Sequence, residues 1–187
     1  MDVKEAIKKR RAFRSLQPVF ITDELINDLA ECAQLTASCF NNQPWKFIFV
    51  YDKDLLSRMH EALSKGNEWA KNASMIIVVL GKKDDDCIIQ ERVYYQFDIG
   101  MAVSAMILRA TELDLVAHPI AGYSPKKTRE ILGIPENIEV ITLIIVGKHA
   151  DKIDLSLSEK QIEAERKRPK RKKIDEFVYI NRYTKVR

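Results

Sequence analysis

Apolar and polar positions follow two different periods along the chain, one typical of helices and one of buried strands. Apolar residues recur at helical spacing in "TDELINDLAECAQL" and "DKDLLSRMHEAL", whereas "KFIFVY", "SMIIVVLG" and "IEVITLIIVG" are short continuous apolar runs. Capping signals predict helix starts after Asp2, Thr22 and Ser124, and Gly133 should end the last of these helices. "IDEFVYINRY" near the C-terminus is a candidate fourth strand. Interleaved helices and strands predict a layered α/β or α+β domain.

One predicted helix differs from the others because it is apolar on nearly every face. It covers the stretch "VYYQFDIGMAVSAMILRATEL", residues 93–113. A helix with few polar faces is normally buried. In a chain this small, such a helix often packs against its own copy, so the pattern also favours a homodimer.

Length and composition indicate one globular domain, or one domain with an arm. The chain has 187 residues, of which 46% are hydrophobic. Its longest apolar runs, "MIIVVL" and "ITLIIV", are far shorter than the roughly 20 residues that a membrane helix needs. The start "MDVKEAIKKRR" lacks the apolar core of a signal peptide. We therefore expect a cytoplasmic protein with no membrane partner.

Cysteine and histidine usage gives no sign of a disulfide or a metal centre. The three cysteines, Cys32, Cys39 and Cys87, are odd in number and contain no CxxC pair. The three histidines are scattered, without the spacing of metal ligands. We therefore expect neither a disulfide nor a zinc site.

The net charge of +4 is concentrated in one segment. Residues 159–173 hold eight Lys/Arg and three Glu, a net of +5, which leaves 23 basic and 24 acidic residues, or −1, for the remainder. A solvated linker or helix face explains such a run, and contact with a phosphate by one or two of its residues is the alternative. A nucleic-acid partner is not expected, because aromatic residues are not interleaved with these charges.

Two stretches suggest a planar, phosphorylated ligand. "SCFNNQPWKF" places three amide side chains before a strand, and amides both donate and accept hydrogen bonds at a polar ring edge. The six glycines form neither GxGxxG nor GxxxxGK[ST], so a phosphate would have to be held by side chains, preferably arginine. "KKRRAFR" supplies them, and if the first helix continues this far, Arg10 and Arg14 share one helical face. A solvated basic helix end is the alternative explanation of this cluster.

Taken together and in order, these motifs resemble the nitroreductase family of FMN-dependent NAD(P)H oxidoreductases. The early "RRAFR" matches the family's "RRSxR", and "ASCFNNQPW" matches "APSxxNxQPW". An asparagine before the second core strand, the apolar central helix and "HPIAGY" follow in family order, and "RKKIDEFVYINRY" is similar to the family's closing motif. Ala12, Ala37 and Asn42 depart from the pattern, since the family usually has serine, proline and a small residue there.

The resemblance implies a fold, an assembly and a set of cofactor contacts. It implies an α+β three-layer sandwich with a mainly antiparallel sheet, a core at 1–157, and a basic C-terminal extension at 158–187 that is exchanged in a homodimer. Arg10 and Arg11 would hold the FMN phosphate and ribityl region, and Arg14 would tune the flavin ring. The full set of implied cofactor-binding residues is Arg10, Arg11, Ala12, Arg14, Ser38, Asn41, Gln43, Asn67, Ile120, Ala121, Gly122, Arg171 and Lys172.

The resemblance also implies a reaction. NADH or NADPH would pass hydride to N5 of FMN, and a small oxidant such as a quinone or nitroaromatic would then take the electrons from the same site. The cofactor would carry the chemistry, with no catalytic side chain and no metal. A specialised flavin oxidase or dehalogenase, and a non-catalytic FMN-binding or storage protein, are the alternatives.

Overall fold

The computed structural model describes residues 1–183 as a mixture of six α-helices, seven strands and several short 3₁₀ turns. The helices are α1 (Val3–Lys9), α2 (Asp23–Gln34), α3 (Lys53–Met59), α4 (Tyr95–Glu112), α5 (Pro125–Leu132) and α6 (Glu159–Arg166). The strands are β1 (Leu16–Gln17), β2 (Lys46–Val50), β3 (Met75–Gly81), β4 (Ile88–Ile89), β5 (Arg92–Val93), β6 (Leu115–Ile120) and β7 (Glu139–His149).

The main sheet is antiparallel throughout. β7 is its longest strand and pairs with β6 on one side and β3 on the other, while β2 pairs with the far side of β3. Val78 stands opposite Leu143 of β7 and Ile48 of β2, which fixes the register across the sheet. β1 pairs with the last residues of β7, and β4 and β5 form a separate small hairpin. The edges of the sheet are therefore β6 and β2.

Both faces of the sheet are covered by helices, which explains why β3 is apolar without alternation. Met75, Ile77 and Val79 of β3 pack with α2 and α4, whereas the intervening residues of β3 pack with α3, α5 and Trp69 on the opposite face. All seven residues of β3 are buried as a result. This arrangement confirms the predicted three-layer α+β sandwich with a mainly antiparallel sheet.

The helix ends follow the expected capping residues. Asp2 and Glu5 form a capping box, and the Thr22 and Ser124 side chains accept hydrogen bonds from the first turns of α2 and α5. Gly133 ends α5 with a φ of 65°, in the left-handed region where glycine carries no Cβ penalty. None of the described helices is long and apolar enough to cross a membrane.

The structure differs from the sequence analysis in three places. Residues 174–183 contain no strand; Ile174–Glu176 form a 3₁₀ turn instead. α1 ends at Lys9, because Arg10 adopts an extended conformation with a ψ of 123°, so Arg10 and Arg14 do not share a helical face. The sequence pattern also missed β6, which follows α4 after a single turn at Asp114, a residue with a φ of 60°. The division into a core at 1–157 and an extension at 158–187 stays a prediction.

Candidate functional site

Five arginines converge on one small cavity. After α1 ends, the chain runs through an irregular loop to β1, and this loop faces the segment that follows α6. The cavity between them has a volume of about 180 Å³. It is lined by Arg10, Arg11, Ala12, Arg14, Ala164, Arg168, Pro169 and Arg171. Arg10 and Arg14 thus meet at one site through the loop, although not through the helical spacing that the sequence suggested.

α6 holds this arginine loop in place. The buried carboxylate of Glu165 accepts hydrogen bonds from the backbone N–H of Arg14, at 2.7 Å, and of Ser15, at 3.2 Å. Arg11 Nη2 donates to the carbonyl oxygen of Glu165 at 3.0 Å. Arg168 Nη2 donates to the carbonyl oxygen of Arg10 at 2.9 Å. From the sequence, the basic segment 159–173 was interpreted as a linker or a helix face. In the structure it includes α6, which forms part of the cavity wall.

The cavity concentrates positive charge, and the nearby Glu165 carboxylate binds backbone N–H groups and forms no ion pair with the arginine side chains. Within residues 1–183, no Asp or Glu forms an ion pair with any of its five arginines. The pKa of Arg10 is lowered, first because burial desolvates its guanidinium and then because Arg168 and Arg171 repel it. Like charges held this close are stabilised by a multivalent anion, and the guanidinium fork matches phosphate oxygens. The cavity therefore fits a phosphate group.

Trp69 and His118 lie behind Arg14. The Arg14 guanidinium lies 5.8 Å from the centroid of the Trp69 ring, which in turn stacks on His118 at 4.8 Å. His118 Nδ1 lies 3.0 Å from the carbonyl oxygen of Phe13, so this nitrogen carries the proton and donates it. Burial lowers the pKa of His118 to about 4, and the carbonyl acceptor only partly opposes the shift. His118 is therefore a neutral, buried support for the arginine loop.

Trp69 links Arg14 to Asn67 and to the turn after β6. Asn67 Nδ2 donates to the carbonyl oxygen of Gly122 at 2.8 Å, and Asn67 Oδ1 accepts from Trp69 Nε1 at 3.2 Å. A Cβ on residue 122 would collide with the Asn67 amide. Asn67 and the Ile120–Gly122 turn are thus brought together, on the same side of the molecule as Arg14 and Trp69.

The amide-rich segment Ser38–Gln43 lies elsewhere. Ser38 Oγ accepts from the backbone N–H of Gln43 at 2.9 Å, and Phe40, Asn41 and Gln43 all have positive φ, between 48° and 59°. The segment precedes β2, the edge strand opposite β6, and three strand spacings separate these edges by roughly 14 Å. No hydrogen bond within residues 1–183 joins Ser38–Gln43 to the arginine cavity. Within one chain, the residues implied to bind FMN therefore form two separate groups.

The expectation that the chain contains no disulfide is wrong. Cys39 and Cys87 are disulfide-bonded, with their Cα atoms 6.1 Å apart. Cys32 on α2 is a free thiol. Cys39 and Cys87 are 48 residues apart in sequence, and only the fold brings the loop before β2 against the loop after β3. No spacing rule could have paired them.

Acidic residues surround this disulfide. Asp98 is buried at the start of α4 and accepts from the Cys39 backbone N–H at 2.6 Å. The pKa of Asp98 is raised, first because of its burial, and further because the Asp86 carboxylate is close. Asn42, which departs from the family pattern, turns its amide inward and donates to Asp86 Oδ1 at 3.2 Å. No motif or spacing in the sequence predicted this buried cluster.

Large apolar surfaces remain uncovered in the single chain. In the tail, Arg171 reaches the arginine cavity, whereas Lys172 is exposed and is not among its lining residues. The tail then exposes Ile174, Phe177, Val178, Ile180 and Tyr183. α4 also carries an incompletely buried stripe at helical spacing, with almost no polar groups. The stripe consists of Phe97, Gly100, Met101, Ser104, Ala105 and Leu108.

The model of the nitroreductase family matches residues 7–148. A relative from Archaeoglobus fulgidus, provisionally named an NADH dehydrogenase/NAD(P)H nitroreductase, is 34% identical over 157 residues, covering 79% of this chain and 86% of its own. A crystal structure described as an oxidoreductase containing FMN is 26% identical, with a TM-score of 0.85, covering 98% of this chain and 94% of its own. A nitroreductase family protein from Clostridium novyi NT is 26% identical, with a TM-score of 0.75, covering 81% and 87%.

The chain therefore belongs to the nitroreductase family, and it is an oxidoreductase. This confirms the resemblance that the ordered motifs suggested.

Proposed function

We propose that this protein is an FMN-dependent oxidoreductase that takes hydride from NADH or NADPH and delivers electrons to a small acceptor such as a nitroaromatic or a quinone. The observation that carries the proposal is the cavity of five arginines beside Asn67 and Gly122, within a nitroreductase fold. The similarity to an oxidoreductase containing FMN supports the identity of the cofactor, and the relatives' names support the hydride donor.

The residues of the arginine cavity and of the neighbouring turn fit the two ends of this cofactor. Arg10, Arg11, Arg168 and Arg171 would hold its phosphate, because their charges converge and no Asp or Glu in residues 1–183 forms an ion pair with them. Ala12 would leave room for the phosphate, whereas the serine that the family usually has at this position would add a hydroxyl group. When bound, FMN supplies the reversible transfer of hydride that oxidoreductases of this class need.

The ring end of the cofactor would lie toward Arg14, Asn67 and the Ile120–Gly122 turn. Asn67 has both its amide groups engaged, with Trp69 and Gly122, so it fixes the geometry of this wall. Ala121 is exposed in the turn and leaves the wall open to a ligand. Arg14 contributes a fixed positive charge, because Glu165 holds its backbone and Trp69 lies under its side chain. No side chain acts as nucleophile or general base in this proposal.

A homodimer would complete the site. The segment that holds Ser38, Asn41 and Gln43 is hydrogen-bonded to Asp98 and Asp86 and not to the arginine cavity, so a second copy would have to bring these residues there. The incompletely buried stripe on α4 and the apolar tail at 174–183 are the surfaces that such a contact would cover. Lys172, which faces solvent in the single chain, would be available to the same assembly.

Light scattering tests the dimer. We expect the wild-type chain to be dimeric at micromolar concentration, and Ala105→Arg, on the α4 stripe, to give monomers that also lose flavin. Lys126→Glu, on the 87% exposed Lys126 side chain of α5, is the matched control and should stay dimeric. A stable wild-type monomer would refute the assembly, and a monomeric Ala105→Arg variant with full flavin content would refute the shared site.

The cofactor and the reaction are tested together on the purified protein. We expect flavin absorption in the visible spectrum, release of FMN rather than FAD on denaturation, and bleaching when NADH or NADPH is added without oxygen. Reoxidation by a quinone or nitroaromatic should restore the spectrum. A colourless protein that FMN cannot reconstitute would overturn the proposal. A yellow protein that neither nucleotide bleaches would identify a flavin store instead.

A further inference from the structure

A second group of potential ligands lies around the disulfide, away from the arginine cavity. Cys39, Cys87 and Asp86 each offer one ligand atom, and these three atoms lie within 4.8 Å of one another. Asp86 and Cys87 are buried, whereas Cys39 is only partly so, which leaves an approach from its side. Two sulfurs and a carboxylate oxygen form a donor set that zinc accepts.

An unpartnered oxygen at this position points to a missing ligand. Asp86 is only 8% exposed, and its buried Oδ2 receives no hydrogen bond from an amide, hydroxyl or basic group among the described residues. The group that interacts with the Asp86 side chain from the other side is a second carboxyl, that of Asp98. The other oxygen, Oδ1, shares the Asn42 amide with Cys87 Sγ, at 3.2 and 3.4 Å. A buried carboxylate oxygen without a partner is costly, so a cation at this point would stabilise the fold.

The charge around the group favours a cation as well. Asp98, only 2% exposed, lies beside Cys39 and brings a second buried carboxylate to the same region. Within residues 1–183, no lysine or arginine forms an ion pair with Asp86 or Asp98. Buried carboxylates are usually paired with a base or bound to a metal.

We propose that the reduced form of this protein binds one zinc-class divalent cation through Cys39, Cys87 and Asp86. A dithiol reductant supplies the two electrons: the Cys39–Cys87 bond breaks to give two thiols, and the dithiol becomes a disulfide. Each thiol then loses a proton to solvent as its sulfur binds the metal. Three protein ligands leave the fourth tetrahedral position open.

The backbone accommodates both states. The Cα atoms of Cys39 and Cys87 are 6.1 Å apart, which is close enough for both side chains to reach one metal ion. Two sulfurs at about 2.3 Å from a tetrahedral zinc lie about 3.8 Å apart, a separation that side-chain rotation can supply. Either the disulfide or the metal would therefore cross-link the loop before β2 to the loop after β3. The proposal does not rest on the flavin.

Cobalt binding to the full-length protein tests the site, because cobalt replaces zinc and absorbs when thiolates bind it. The protein is reduced with a phosphine, freed of reductant without oxygen, and titrated with Co²⁺. We expect one Co²⁺ per chain with thiolate-to-cobalt absorption, displacement by Zn²⁺, and no binding by the oxidised protein. Cys32→Ser, which removes the free cysteine on α2, is the matched control and should bind as wild type does.

Two variants assign the ligands. Cys39→Ser should abolish the thiolate-to-cobalt absorption, and Asp86→Asn, which retains both cysteines, should weaken binding by at least about tenfold. Circular dichroism verifies that each variant is folded. Reduced wild-type protein that binds no more Co²⁺ than Cys39→Ser would overturn the proposal. Loss of binding in Cys32→Ser, or unchanged affinity in Asp86→Asn, would do the same.

Discussion

The side-chain amide of Asn67 donates a 2.8 Å hydrogen bond to the carbonyl oxygen of Gly122 and fills the space that a Cβ on residue 122 would need. Gly122 does not have a positive φ, so its backbone would tolerate another residue and only this contact excludes one. The pair joins the turn after β6 to the 3₁₀ turn at Glu68–Asn72. The wall of the proposed flavin site therefore depends on a residue without a side chain.

Gly122→Ala tests this relationship by thermal unfolding. We expect the substitution to destabilise the protein by about 1–3 kcal/mol, because it overpacks a site with no free space. In an Asn67→Ala background the same substitution should cost much less, since the colliding amide is gone. Additive effects of the two substitutions in this double-mutant cycle would show that Asn67 is not the cause.

Glu165→Ala should detach the arginine loop from α6. The substitution leaves the N–H groups of Arg14 and Ser15 without their charged acceptor, so we expect a loss of about 2–3 kcal/mol in the free energy of unfolding. Flavin should also bind more weakly, because Arg14 loses its fixed position. Glu163→Ala, at an exposed position on the same helix, should change stability by less than about 0.5 kcal/mol. Equal effects of the two substitutions would contradict this role of Glu165.

His118 should make stability depend on pH in a defined window. Its pKa is about 4 in the folded chain and about 6.5 when unfolded, so between these values the unfolded state binds more protons. Stability should therefore fall as the pH drops from about 6.5 to about 4, by at most about 3 kcal/mol from this residue. His118→Gln keeps a donor near Phe13 but cannot titrate, and its unfolding curve should be flatter in this window. Parallel curves for the two proteins would contradict the assignment.

Arg10 and Arg14 should affect the bound flavin differently. Arg10 lies between Arg168 and Arg171, whereas Arg14 lies over Trp69, toward Asn67. A phosphate has the same charge in both redox states, but the flavin ring gains negative charge on reduction. Arg14→Gln should therefore lower the midpoint potential by tens of millivolts, since about 30 mV corresponds to about 1.4 kcal/mol for two electrons. Arg10→Gln should leave the potential nearly unchanged, and spectroelectrochemical titration that shows equal shifts would reverse the assignment.

Local signals in the sequence were sufficient for most of the fold. The N-caps Thr22 and Ser124 and the continuous apolar run of β3 correctly predicted elements, because caps and buried strands are set by neighbouring residues. β6 was missed because the turn at Asp114 is a single residue with a positive φ and no glycine. The sequence did not locate the end of α1 at Lys9, and in the structure α6 binds the loop that follows it from 150 residues away.

The candidate site was predictable only in its composition. The arginines and amides could be named from the order of their motifs, but the roughly 14 Å that separates the two sheet edges follows from strand order. The disulfide between Cys39 and Cys87 and the inward turn of the Asn42 amide depend on contacts between distant loops. Arg168 also lines the cavity, but it was not among the predicted site residues. Its position in a basic segment was its only sequence signal.

The affinity of FMN relative to riboflavin tests the central claim most directly, because the two ligands differ only in the phosphate. If the arginine cavity holds that phosphate, the apoprotein should bind FMN about 10- to 100-fold more tightly, as charge-assisted hydrogen bonds of about 1.5–3 kcal/mol require. Arg10→Gln should narrow this preference without changing the affinity for riboflavin, whereas Lys126→Gln, an exposed charge on α5, should preserve it. Equal affinity of the wild-type protein for both ligands, or an equal loss of both in Arg10→Gln, would contradict the account.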